Sequence, residues 1–203
     1  MAATQLSLYN GALLILGERG LTSLSENREP RRVLDRIWAK DPVRSCLEQG
    51  QWKHAIRRQR VSYNPSITPD FAFAYAFDKP SDFVRTAAIS LDEYFNSPLL
   101  SYEDQAGYWF ADSTEIYVKY VSDDNDYGRD YSLWPKTFEK YVESFLAFES
   151  ADRIAPSKLG KATAVMRAAL TDALSKDAMA GPTKFSPIGS WAAARLGSSS
   201  RER

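Results

Sequence analysis

The sequence predicts an α+β protein: a four-segment helical bundle with an inserted antiparallel β-rich domain and an extended C-terminal arm. Three observations lead there. Apolar residues recur with a helical period near both ends of the chain and with a two-residue period in the middle. Prolines and glycines fall where the period changes. The last stretch, residues 182–203, holds two prolines, two glycines and a Ser-rich end, with no helical period of useful length. The expected boundaries are 1–51 and 131–181 for the two parts of the bundle, 52–130 for the β-rich domain and 182–203 for the arm.

The first helix is expected from Thr4 to Leu16, stopped by Gly17 and Gly20. Leu6, Leu8, Tyr9, Leu13, Leu14, Ile15 and Leu16 make it apolar nearly all round, which predicts a position inside the bundle. A second helical segment starts near Pro30, with Val33, Leu34, Ile37 and Trp38 as its stripe. At Asp41-Pro42 it either kinks or restarts, with Asp41 as cap and Val43, Cys46 and Leu47 facing inward, and Gly50 ends it.

From Trp52 to Val121 the period is that of strands. Residues 52–62, 83–90, 94–101, 107–111 and 115–121 are candidates, with Asp112-Ser113-Thr114 as a hairpin loop. Residues 71–77 read FAFAYAF, so an extended chain sets Phe71, Phe73, Tyr75 and Phe77 on one face and alanines on the other. The aromatic face needs an apolar cover, and the alanine face admits a neighbouring backbone. After the acidic loop 123–131, a third helix starts near Pro135 with a stripe through Phe138, Tyr141, Val142, Phe145 and Leu146. Pro156 breaks it, and a fourth helix spans 158–180 until Gly181-Pro182. In the arm, Phe185, Ile188, Trp191 and Leu196 are spaced anchors. Such a segment orders on a partner and buries its aromatics there, or folds back on its own bundle.

The chain of 203 residues carries equal numbers of acidic and basic groups. They are segregated: residues 1–69 hold 11 Lys/Arg against 6 Asp/Glu, residues 70–130 hold 4 against 13, and residues 131–203 hold 11 against 7. An acidic middle between basic ends shows different fields to different neighbours, or is a solvated sheet surface. The single cysteine, Cys46, excludes an internal disulfide and fits a reducing cytoplasm. No signal-peptide pattern opens the chain and no apolar run reaches bilayer length.

Catalytic constellations are sparse. His54 is the only histidine and has no acid partner nearby in sequence. Cys46 lies in an apolar stripe, as a small core residue would. One His and one Cys leave a zinc cluster of the usual ligands without donors. In the acidic loop, Asp123, Asn125 and Gly128 fall at EF-hand positions, but Tyr127 and Trp134 stand where oxygen ligands are needed. Gly160-Lys161 lacks the glycine loop that makes a phosphate cradle. Lys53, Arg57, Arg58 and Arg60 form a basic stretch suited to a solvated or subunit-contact face or to phosphate contact, without any accompanying nucleic-acid-binding motif.

The order of the motifs resembles a known family. A helix ends GERGLTSLSE, EPRRVLDRIW and LEQGQW follow, and then comes PDFAFAYAFDKPSDFVR. This is similar to the head-to-tail adaptor proteins of short-tailed bacteriophages, called tail tubular protein A. The matching positions are Gly17-Glu18, Gly50-Gln51-Trp52, and Phe73, Tyr75, Phe77, Pro80, Asp82 and Arg85. The IYVKYV strand, the aromatic third helix and Gly189-Ser190-Trp191 through Arg195 match too, so the resemblance covers nearly the whole chain. Pro42 inside the long helix is a departure.

The resemblance implies a structural virion protein of the phage neck or tail, made in the bacterial host cytoplasm. It implies no reaction, cofactor, metal or membrane. Family members form a ring, usually of twelve copies, beneath the portal protein; the ring extends the channel for double-stranded DNA and receives the tail nozzle. Phe185, Pro187, Ile188, Trp191, Arg195 and Leu196 are then the portal-binding arm. Asp123, Asp124 and Asp126 form an acidic channel rim that repels phosphate. Phe71, Phe73, Tyr75 and Phe77 are the aromatics of the domain junction. Another neck component such as a stopper, and a virion-associated cell-wall hydrolase working through paired carboxylates, are the alternatives.

Overall fold

The structure, a computed structural model, describes residues 3–105 and 107–181. Three helices precede the strands: α1 (Gln5–Leu16), α2 (Glu29–Trp38) and α3 (Pro42–Leu47). Six strands follow: β1 (Ile56–Ser62), β2 (Tyr75–Asp78), β3 (Phe83–Ser90), β4 (Glu103–Gln105), β5 (Tyr108–Ala111) and β6 (Glu115–Ser122). Then come α4 (Lys136–Ile154) and α5 (Leu159–Met179). Helices and antiparallel sheet are thus segregated along the chain, as an α+β class requires.

Local chemistry sets the helix ends. Thr4 caps α1 by accepting the Ser7 amide, and the Ser7 hydroxyl side answers the Thr4 amide, a reciprocal capping box. Gly17 closes the helix at φ 76°. One expectation for α1 fails: Leu14 is 78% exposed, so the helix buries Leu8, Tyr9, Ala12, Leu13 and Leu16 but shows an apolar side to solvent. The choice at Asp41-Pro42 resolves as a restart. Asp41 takes a left-handed φ of 57° and caps the Arg44 amide, while Pro42 occupies the first helical position.

All four of these helices pack on α4 (α1, α2, α3 and α5), which is therefore the axis of the helical part. Its stripe of Phe138, Tyr141, Val142 and Leu146 is buried. Ser144 and Ser150, buried among them, give their hydroxyl protons to the Tyr141 and Leu146 carbonyls, so neither is left unsatisfied.

The strands form two three-stranded sheets, ordered β1-β6-β3 and β2-β5-β4. A second, smaller core lies between them: Phe77, Trp109 and Ala111 meet Ile89, Ile116, Val118 and Tyr120. The central strand β6 serves both cores, because Val121 near its end belongs to the helical one.

Three strand expectations change. Residues 52–55 are a turn of 3-10 helix over Lys53–Ala55, not strand. Residues 94–101 hold only a bridge between Ser90 and Pro98. There the Asp92 carboxylate gathers the Ser90 hydroxyl and the Asn96 and Ser97 amides into a turn, taking donors that a ladder needs. Those hydrogen bonds, from Ser90 first, hold the Asp92 carboxyl down at about 2. Finally, Asp112-Ser113-Thr114 is no hairpin loop. β5 and β6 do not pair, and these residues carry the chain from one sheet to the other.

Candidate functional site

The sheet β1-β6-β3 is fastened to the helices by a charge network. On α3, Arg44 donates to Asp123 at 2.6 Å and to the Phe83 carbonyl at 2.8 Å. Arg129 donates to the Asp123 carbonyl at 2.9 Å and also pairs with Asp41 and, at 3.5 Å, with the Asp123 carboxylate. Beside them, Asp82 accepts from Arg57 at 2.9 Å, from the Tyr120 hydroxyl at 3.2 Å and from the Ser122 hydroxyl. Burial alone would raise the Asp82 carboxyl, but the hydrogen bonds from Ser122 and Arg57 outweigh it and hold it below its ordinary value. Arg85 reaches across to the Glu48 carbonyl at 3.3 Å, at the end of α3. Of two residues read in the sequence only as parts of a motif, Arg85 thus joins the sheet to α3, while Asp82 ties β1 and β6 together at the start of β3.

The expectation that Phe71, Phe73, Tyr75 and Phe77 line that junction is corrected. Only 75–78 is strand; Ala72 takes a φ of 72° and the Phe73 amide turns back on the Phe71 carbonyl, which ends the alternation. Phe77 is fully buried in the core between the two sheets, Tyr75 packs beside that core, and neither belongs to the helical core. Phe71 is 83% exposed, and together with the half-buried Phe73 it lines a shallow groove of about 230 Å³ with Phe110, Asp70 and Glu103. Both faces of the strand are occupied at 76–77, since Ala76 is as buried as Phe77.

In the acidic loop the three aspartates differ. Asp123 is committed to Arg44 and Arg129, with a side chain only 14% exposed. Asp124 accepts the Asp126 amide, and Asp126 itself is exposed. Among the described residues no group of three or more His, Cys, Asp or Glu is placed to hold a metal ion. Gly128 is needed here for close approach: a Cβ would collide with the Ser122 carbonyl and stand 2.8 Å from Leu47. Its carbonyl accepts the Trp134 indole at 2.9 Å, which pins the loop to the start of α4.

The second feature is a groove of about 330 Å³ where α5 ends, walled by Trp52, Lys53 and His54, the start of α4 through Phe138, and Ala173 to Ala180 of α5. Trp52 is buried, donates its indole N–H to the Cys46 carbonyl at 3.1 Å and packs edge-on against Phe138 at 4.8 Å. Lys53 caps α5, donating its ammonium to the Asp177 and Ala178 carbonyls while its amide meets the Asp177 carboxylate. His54 packs on Phe138 at 4.6 Å, and both its ring nitrogens are shielded from solvent with no hydrogen-bond partner. Burial lowers it to about 4, so the imidazole is neutral near pH 7.

No family model matches this chain, and no curated protein matches it.

The basic stretch of the sequence is therefore mostly engaged inside the molecule. Lys53 caps a helix, Arg57 pairs with Asp82, and Arg60 forks onto Glu115; Arg58 is exposed. Cys46 is fully buried and burial pushes its thiol far up, keeping it protonated. Burial also raises Glu143 on α4 to about 7, a group that sequence periodicity could not single out because α1 supplies its cover. Phe185, Pro187, Ile188, Trp191, Arg195 and Leu196 lie outside the described residues. No described helix is long and apolar enough to cross a membrane.

Proposed function

We propose that this chain is a structural virion protein, a subunit of the head-to-tail adaptor ring of a short-tailed phage. It docks on the portal, extends the DNA channel and receives the tail nozzle. The observation that carries the reading is the order of motifs along the sequence, from GERGLTSLSE through PDFAFAYAFDKPSDFVR to Gly189-Ser190-Trp191. Support comes from the work those residues do. Arg85 fastens a sheet to a helical unit and Asp82 ties the strands of that sheet together, which suits a part that transmits load between neighbours rather than one that turns over a substrate. Beyond Gly181 the sequence continues with aromatic anchors, and a weak contact by each arm, repeated around a ring, sums to a large avidity.

The test is to mix the full chain, and the chain cut after Gly181, with cognate portal rings and to image the products. The full chain should cap the portal as a ring. The shortened chain should keep its helical circular-dichroism signal and fail to dock. Capping by the shortened chain, or no capping by the full one, would overturn the reading.

A further inference from the structure

The shallow groove on the second sheet is lined by three phenylalanine rings, Phe71, Phe73 and Phe110, and by two carboxylates, Asp70 and Glu103. Strand alternation sets its floor. Phe110 of β5 stands opposite Glu103 of β4, so both project from the outward side of the sheet, while Trp109 and Asp104 belong to the inward side. None of the three strands of this sheet holds a basic residue. The inward side shows what such a setting attracts. There Asp104 pairs with Lys79, whose ammonium lies 4.7 Å from the centre of the Phe83 ring and 5.7 Å from that of Trp109. The outward side repeats the acids and the rings without the cation. Among the described residues no Lys or Arg pairs with Asp70 or Glu103, and Glu103 accepts only the Gln105 amide.

We propose that this groove binds an arginine side chain carried by a basic segment of another protein, its guanidinium stacked on the phenylalanine rings and paired to Asp70 and Glu103. Arginine fits better than lysine because a planar guanidinium can stack on a ring and fork onto a carboxylate at once. The shallow form favours a protein segment over a small ammonium compound. A small ligand would stay largely in solvent here, whereas a segment adds contacts around the groove. The acids repel nucleic acid and anionic lipid. Two copies related by a twofold axis would set these same acids against each other. Binding here does not depend on the adaptor reading.

The probe is a short glycine–serine peptide with one central arginine, titrated at low salt into the isotope-labelled full chain and followed by amide NMR. Shifts should centre on Phe71, Phe73, Glu103 and Phe110. The same peptide with citrulline, which keeps the shape and loses the charge, should bind about fivefold more weakly, and so should the arginine peptide to the Asp70→Asn, Glu103→Gln double variant. Phe71 is 83% exposed, so Phe71→Ala should leave the urea midpoint unchanged while weakening binding about threefold. No shift at millimolar peptide, shifts confined to other residues, or equal binding of the citrulline peptide would overturn the proposal. Choline bound more tightly than the arginine peptide would also overturn it, by making the groove a site for small ammonium compounds. So would self-association of the chain in sedimentation that Phe71→Ala abolishes, which would make the occupant a second copy.

Discussion

Glu143→Gln should make the protein more stable at pH 8 and leave it unchanged at pH 4.5. Glu143 projects from α4 against α1, over Gly11, in an open groove with Leu14, Ile15 and Val165. Its carboxyl stands at about 7 instead of 4.5, raised first by burial and then by Glu139 one turn away, against Lys136 and Lys140, which pull the other way. The sign follows from proton counts. Below pH 4.5 the folded and unfolded chains both hold the proton. Between 4.5 and about 7 the folded chain keeps a proton that the unfolded chain has lost, so stability falls as pH rises through that window. Above it both forms are ionised and the penalty is complete. At about 1.4 kcal/mol per pH unit the ceiling is near 3 kcal/mol, and solvent reaching the half-buried side chain cuts this to about 1–2 kcal/mol. Glutamine keeps the shape and cannot ionise. Urea titrations of both proteins at pH 4.5, 6, 7 and 8 read the difference directly. A gap that is constant with pH, or that widens toward acid, would refute the argument.

Asp82→Asn should cost about 2–3 kcal/mol at pH 7 by urea unfolding, because it removes the charge that Arg57, Tyr120 and Ser122 converge on. Since the Asp82 carboxyl lies below its ordinary value when folded, that cost should shrink as pH falls below 4. Gly128→Ala should lower stability by about 1–3 kcal/mol through collision with the Ser122 carbonyl and Leu47, seen as a lower Tm. Asp126→Lys should stay within about 0.5 kcal/mol of the parent, whereas Asp123→Lys should cost at least about 1 kcal/mol by setting a third cation beside Arg44 and Arg129. Equal urea midpoints for the two variants would contradict the distinction drawn between these aspartates.

Helices were the legible part of this chain. Thr4, Pro30, Asp41-Pro42, Pro135 and Pro156 act within a few residues of themselves, so their signals survive in one dimension. The strand region was read less well for reasons tied to particular residues. FAFAYAF promised a single face, but the left-handed Ala72 breaks it, and Ala76 and Phe77 are both enclosed because one strand is covered on two sides. Residues 94–101 have strand composition, yet one carboxylate, Asp92, reorganises their amides. The junction was hidden most completely. Arg44 and Asp123 are 79 positions apart, and nothing near either one announces the other.

The segregation of charge along the sequence takes on a different meaning in three dimensions. Three acids of the middle stretch, Asp82, Glu115 and Asp123, pair with Arg57, Arg60 and Arg44 from the basic stretch before it. Part of the apparent field is thus a fastening between segments, cancelled within the molecule. Other exposed acids gather on and around the second sheet, at Asp70, Asp78, Glu103 and Asp112, with Asp104 there paired to Lys79. Of these, Glu103 and Asp104 form most of β4, which is an edge strand. A short, charged edge resists pairing with the edge of another copy, a hazard that grows when many copies are held close together. The acidic middle therefore has two physical tasks in the single chain, fastening β1 to its neighbours and the sheet to α3, and protecting an open edge. In a ring, repulsion of passing phosphate would fall to the charges those tasks leave outward, Asp126 and the β4 edge, rather than to Asp123.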